Sequence, residues 1–145
     1  TFSTIHYPIK NNTQSLSLSE YKKLVGQAIS ESQIQRMCVK WFDFYFPALK
    51  LNLFSIPNEG KRTPRNGARM NAQGRRKGAA DMFLAVPNLK HGNIVHGIFI
   101  EFKKPGEKQS DEQKEFQHSV EKAGYRYELI TSLDQFENLM NEYLK

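Results

Sequence analysis

The stretch VHGIFIEFKKPGEKQSDEQKEFQHSVEKAGYRYELI, residues 95–130, decides the fold. Val95 to Lys103 reads as a strand, densely apolar around Ile98, Phe99 and Ile100, and Pro105-Gly106 stops it. Ser110 caps a helix from Asp111 to Ala123, which Gly124 ends. Tyr125 to Ile130 is the next strand. A strand, a helix and a strand in that order form a βαβ unit, so the two strands are expected to be parallel.

Downstream, Ser132 caps a last helix carrying Phe136, Leu139, Met140 and Tyr143. Upstream, Ala80 to Val86 is a strand closed by Pro87, and Asn88, His91, Gly92 and Asn93 make a turn. Leu51 to Ile56 is a short strand stopped by Pro57, and a loop with Gly60, Gly67, Gly74 and Gly78 runs from Asn58 to about Gly78. Ile34, Met37, Cys38, Trp41, Phe42 and Tyr45 recur with the period of one helix face. That helix starts at a Ser30/Gln33 capping box and ends at Pro47. A shorter helix is expected over Glu20 to Ile29, behind a polar arm at residues 1–17. The order is helix, three strands, helix, strand, helix. It predicts an α/β sandwich with a mixed central sheet of four strands, with residues 1–29 as arm and short helix and 30–145 as the domain.

A chain of 145 residues suffices for one domain with a filled core. No apolar run approaches the roughly 18–20 residues of a membrane span. The polar start at Thr1 lacks signal-peptide features and reads as a trimmed beginning. Cys38 stands alone, which excludes an intrachain disulfide and a cysteine zinc cage and fits a reducing, cytoplasmic setting. His6, His91, His96 and His118 have no ligand spacing. Trp41, Phe42, Phe44, Tyr45 and Phe46 read mainly as core, with some of that surface available to a dimer contact.

The net charge of +6 is concentrated in the middle of the chain. Lys61, Arg62, Arg65, Arg69, Arg75, Arg76, Lys77, Lys90, Lys103 and Lys104 share their stretch with only two acids, Asp81 and Glu101. Such a field attracts polyanions, phosphate backbones above all, which makes Lys61, Arg62, Arg65, Arg69, Arg75, Arg76 and Lys77 candidate DNA contacts. A solvated basic loop is the plainer alternative.

The two acids carry the chemistry. Glu101 and Lys103 alternate onto one face of their strand, and Asp81 opens the neighbouring one. Two carboxylates brought together repel unless a cation lies between them, and oxygen-only ligands suit Mg²⁺ or Mn²⁺. The Phe102 carbonyl is a candidate third ligand. Lys103 is placed to hold water or to stabilise charge on a phosphate. Glu31 lies on the inward side of the first long helix, and Gln113 shares a helix face with Phe116 and Val120. Each also has a plain reading: a surface ion pair for Glu101 and Lys103, a turn cap for Asp81, a helix-dipole partner for Glu31, a capping box for Gln113.

The ordered set Glu31, Pro57-Asn58-Glu59-Gly60, Gly78-Ala79-Ala80-Asp81, Glu101-Phe102-Lys103 and Gln113 resembles the PD-(D/E)XK nuclease superfamily, and within it the VRR-NUC family of virus-type replication and repair nucleases. The likeness runs from about Glu31 to Ile130, with Ala80-Asp81 in place of the Pro-Asp pair. It implies a restriction-endonuclease-like α-β-β-β-α-β core. It also implies metal binding by Asp81 and Glu101, a catalytic lysine at Lys103, and a site completed by Glu31 and Gln113. Stand-alone members, associated with phages and bacteria, imply a homodimeric endonuclease on branched DNA such as Holliday junctions. A non-catalytic DNA-binding module and a sequence-specific restriction-type enzyme are the rival readings on the same fold.

Overall fold

The computed structural model describes residues 29–57, 63–90 and 92–145. The arm and short helix expected over residues 1–28, together with His6, Asn58, Glu59, Lys61, Arg62 and His91, lie outside the described residues.

The chain opens with α1 (Glu31–Tyr45) and a 3₁₀ turn (Pro47–Asn52), then β1 (Leu53–Ser55), α2 (Pro64–Ala72) and β2 (Met82–Leu84). A hairpin of β3 (Asn88–Lys90) and β4 (Asn93–Val95) precedes β5 (Ile98–Phe102), α3 (Asp111–Lys122), β6 (Arg126–Ile130) and α4 (Leu133–Leu144). The main sheet has the order β1-β2-β5-β6. β1 and β5 are antiparallel to β2, and β6 is parallel to β5, as the crossover through α3 demands. The mixed four-stranded α/β sheet flanked by helices is therefore the one the sequence predicts.

Alternation on the strands divides the sheet into two faces. Met82, Leu84, Ile98, Ile100, Phe102 and Ile130 pack with Ile34, Cys38 and Phe42 of α1 and with Phe136 and Met140 of α4. The opposite face is an aromatic ladder, Phe54 to Phe83 to Phe99, on which Phe116 of α3 rests edge-on at 5.2 Å. Helix starts follow the capping rules: Ser30 Oγ accepts from Gln33 N at 3.2 Å while Gln33 Oε1 accepts from Ser30 N at 2.8 Å. Ser132 Oγ accepts from Gln135 N at 3.3 Å. Cys38 is fully buried, and burial pushes its thiol up to about 12, which leaves it inert at neutral pH. No helix of the described residues is long and apolar enough to cross a membrane.

Five elements differ from the sequence reading. The strand expected over Ala80 to Val86 shortens to β2, with Asp81 in a bend just before it. The strand expected over Leu51 to Ile56 shortens to β1, because Pro47 starts a 3₁₀ turn that carries Leu51 out to 91% exposure. The expected loop from Asn58 to Gly78 contains α2. Thr63 caps it, accepting from Asn66 N at 3.4 Å, and Pro64 at its first position has no N–H to waste. The turn at Asn88 to Asn93 is a true hairpin, with Leu89 opposite Ile94. The strand expected from Val95 to Lys103 splits at His96-Gly97, leaving β5 as Ile98–Phe102.

Gly78 carries the chain past the start of α3. Its φ is +82°, and a Cβ there would meet the Glu112 backbone and lie 2.8 Å from Gln113 N. Gly74 has φ +101° with nothing within 4 Å of its missing Cβ. The pair separates backbone strain from collision. Gly74→Ala is expected to cost about 1–2 kcal/mol, the left-handed penalty alone. Gly78→Ala is expected to cost roughly 1–3 kcal/mol more, through overpacking against a helix backbone. Urea unfolding of the two variants checks this; equal losses would mean that α3 yields freely.

Candidate active site

The C-terminal end of β5 is where the chemistry-bearing residues meet. β2 runs antiparallel to β5 with Met82 opposite Ile100, so Asp81, one residue earlier, falls opposite Glu101 and on the same face. Asp81 is held from two sides. Its carbonyl accepts from Ile56 N at 2.7 Å, and its Oδ2 accepts from Phe102 N at 2.8 Å. Lys103 directly follows β5, its N–H bonded to Ile130 O at 3.0 Å. Its ammonium reaches back to Glu101 Oε1 at 3.5 Å and across to Glu31 Oε1 at 3.9 Å.

Gln113 does two things at once. Its Oε1 accepts from Ser110 N at 2.9 Å, closing the capping box of α3. Its Nε2 donates to Glu101 Oε1. The plain and the functional readings of this residue are thus both met by one amide. Glu31 is the first residue of α1, so both helices bring their N-terminal ends to the site, and these ends favour anions.

Glu101 is the electrostatic centre. It is only 3% exposed, and it is the one charged residue buried among those described. Burial, then the nearby Asp81 carboxylate, pushes its carboxyl up to about 8 against the pull of Lys103. Glu31 is also raised, by burial and then by hydrogen bonding with Glu107, with Lys103 opposing. Glu107 is a site residue that the sequence reading missed. The turn Lys104-Pro105-Gly106-Glu107, closed by Glu107 N donating to Lys104 O at 3.1 Å with Gly106 at φ +86°, swings it back beside Glu31. The Pro-Gly pair signalled the turn; nothing signalled where Glu107 would land.

The donor set fits a hard divalent cation. Glu101 Oε2 is buried without a hydrogen-bond partner, an arrangement that costs free energy until a cation or proton answers it. Among the described residues no three His, Cys, Asp or Glu gather as a ligand cluster. Two neighbouring carboxylates, one with an unanswered oxygen, suit an ion that takes its remaining ligands from water or substrate oxygen, which is the habit of Mg²⁺.

Arg65 and Arg69 are exposed on α2, and Arg75 and Arg76 follow in the turn after it. Lys77 is committed to an ion pair with Glu112, which holds that carboxyl down to about 2.

Residues 29–134 match the family model of the VRR-NUC domain. A solved structure described as a VRR_NUC domain protein aligns with a TM-score of 0.66 at 19% identity, over 79% of this chain and 87% of that one. At that identity the likeness speaks for the fold. No curated protein matches the chain. With the family match spanning well over half of its length, this chain belongs to the VRR-NUC domain family, a family of nuclease type.

Proposed function

We propose that the chain is a divalent-cation-dependent endodeoxyribonuclease that cuts branched DNA, four-way junctions among it, as a homodimer. The observation that carries this reading is the meeting of Asp81, Glu101 and Lys103 at one strand end, with Glu101 Oε2 buried and unpartnered. Asp81, Glu101 and the Phe102 carbonyl would hold Mg²⁺ or Mn²⁺. Such an ion, when bound, polarises a phosphoryl oxygen and lowers the pKa of water. Gln113 fixes the Glu101 carboxylate, and Glu31 positions the Lys103 ammonium. Lys103 then stabilises negative charge growing on the phosphoryl oxygens. Arg65, Arg69, Arg75 and Arg76 hold the phosphate backbone and set position rather than sequence, and Lys61 and Arg62, which precede them in the sequence, are assigned the same role. Lys77 contributes less, being paired with Glu112.

One constellation cuts one strand, so resolving a junction needs two, related by a twofold axis. The outer side of α1 offers apolar surface for such pairing: Met37 and Tyr45 are each 42% exposed and Phe44 is 73% exposed.

Asp81→Asn and Glu101→Gln are each expected to lower cleavage with Mg²⁺ by more than about a hundredfold, the scale of losing one preorganised electrostatic contact. DNA binding should survive in both. A nicking assay paired with a binding assay checks this, and near-normal cleavage by either variant would overturn the site assignment.

The wild-type chain is expected to scatter light as a dimer whose interface buries about 1,000 Å² or more in total. It should place paired nicks on a four-way junction in preference to linear duplex. A monomer that cuts both alike would overturn the junction reading, and recognition of one linear sequence would favour a restriction-type enzyme.

The metal-free protein carries a pH signature. Glu101 has a raised folded pKa, so between about 4.5 and about 8 the folded chain retains a proton that the unfolded chain releases. Its contribution to stability is complete below that window and declines through it, by on the order of a few kcal/mol. Glu101→Gln should flatten the decline. Thermal melts in chelator from pH 5 to pH 8.5 measure it, and parallel curves for the two proteins would contradict the burial of that charge.

A further inference from the structure

One cleft, lined by Glu31, Asp81 and Glu107, belongs to the site already described; a second lies on the α3 side of the sheet. It encloses about 420 Å³, within the usual range of roughly 300–1,000 Å³ for small-molecule sites. Phe99 of β5 and Phe116 of α3 line its floor with rings set edge to face at 88°, so a flat ligand can stack on one ring and meets the edge of the other. Ile56 and Met70 wall it, and Arg75 and Arg76 stand at its rim. None of the residues lining it is acidic. Phe99 and Glu101 lie two positions apart on β5, so their side chains share a face with Cα atoms roughly 7 Å apart. The wall is also tied to the acidic site, since Ile56 N donates to Asp81 O at 2.7 Å.

We propose that this cleft receives one unpaired nucleobase of the DNA, stacked on one ring of the Phe99/Phe116 pair and edge-on to the other, with the adjoining phosphate on Arg75 and Arg76. The inference rests on the nuclease reading for its choice of ligand and deepens it. Three features argue for this occupant. The floor is aromatic and every nucleobase offers a ring face, so stacking is tolerant of sequence. The rim is cationic and suits the phosphate next to the base. The position is beside the carboxylates that would engage the scissile phosphate, so a base held here fixes which phosphate is presented. A paired base cannot enter without leaving its stack. Junctions, flaps and bulges supply an unstacked base at little cost, whereas linear duplex must be opened first. The cleft thus gives structure selectivity a physical basis.

The test is equilibrium binding of the full chain without metal, read by fluorescence anisotropy. One labelled duplex carries a single unpaired adenine; its twin carries an abasic residue at that position. The wild-type chain is expected to bind the abasic twin at least about fivefold more weakly, the lower end of what one stacked base contributes. Met70→Trp, which fills the cleft from an exposed helix, should erase the difference, and Arg76→Ala should weaken both DNAs alike. Equal affinity of the wild-type chain for the two DNAs overturns the proposal, as does a difference that persists in a folded Met70→Trp protein. Should that variant not fold, the comparison of the two DNAs on the wild-type chain decides alone. Cleavage with Mg²⁺ or Mn²⁺ is scored separately: no cleavage of any DNA sinks the nuclease reading and leaves the base-binding result standing, and equal binding does the reverse.

Discussion

The burial of the Glu101 carboxyl on the central strand is the constraint around which this molecule is arranged. A carboxylate taken from water must be answered by hydrogen bonds or opposite charge. Gln113 and Lys103 answer one oxygen; the other has no partner, and Asp81 makes matters worse. The fold does not remove this deficit. It fixes it, by pairing β2 against β5 and bonding Asp81 to the Phe102 amide. A carboxyl left short of positive charge keeps its proton well above the usual carboxylate range.

The two faces of the sheet divide the work. On the face covered by α1 and α4, fully buried Phe42, Phe102 and Phe136 hold β5 in place. On the face covered by α3, the contacts are half-buried aromatics, and the space left among them becomes the second cleft. Asp81, Glu101 and the cleft share the α3 side of the sheet.

Much of this was legible in the residues. The βαβ unit, the two capping boxes and the approach of Asp81, Glu101 and Lys103 follow from periodicity, caps and strand alternation, whereas Glu31 and Gln113 were joined to them through the family resemblance; the structure brings the five side chains near one another. α2 was hidden because its signal is short: Thr63-Pro64 starts a helix that has no buried residue and includes Gly67, so there was no apolar stripe to read. β1 was overestimated because Leu51 alternates correctly yet faces solvent after the Pro47 turn. Glu107 was missed because its place depends on a turn and a neighbouring helix, a long-range relation that no local pattern encodes.

The double use of Gln113 bears on how this site can change over generations. One amide both finishes the first turn of a helix and steadies the buried acid. A glutamate there would still accept from Ser110 N but would set a second negative charge against Glu101; an alanine would lose both bonds. Only a side chain with an acceptor and a donor at that reach serves both ends. A substitution here would therefore disturb the start of α3 and the setting of the buried acid together.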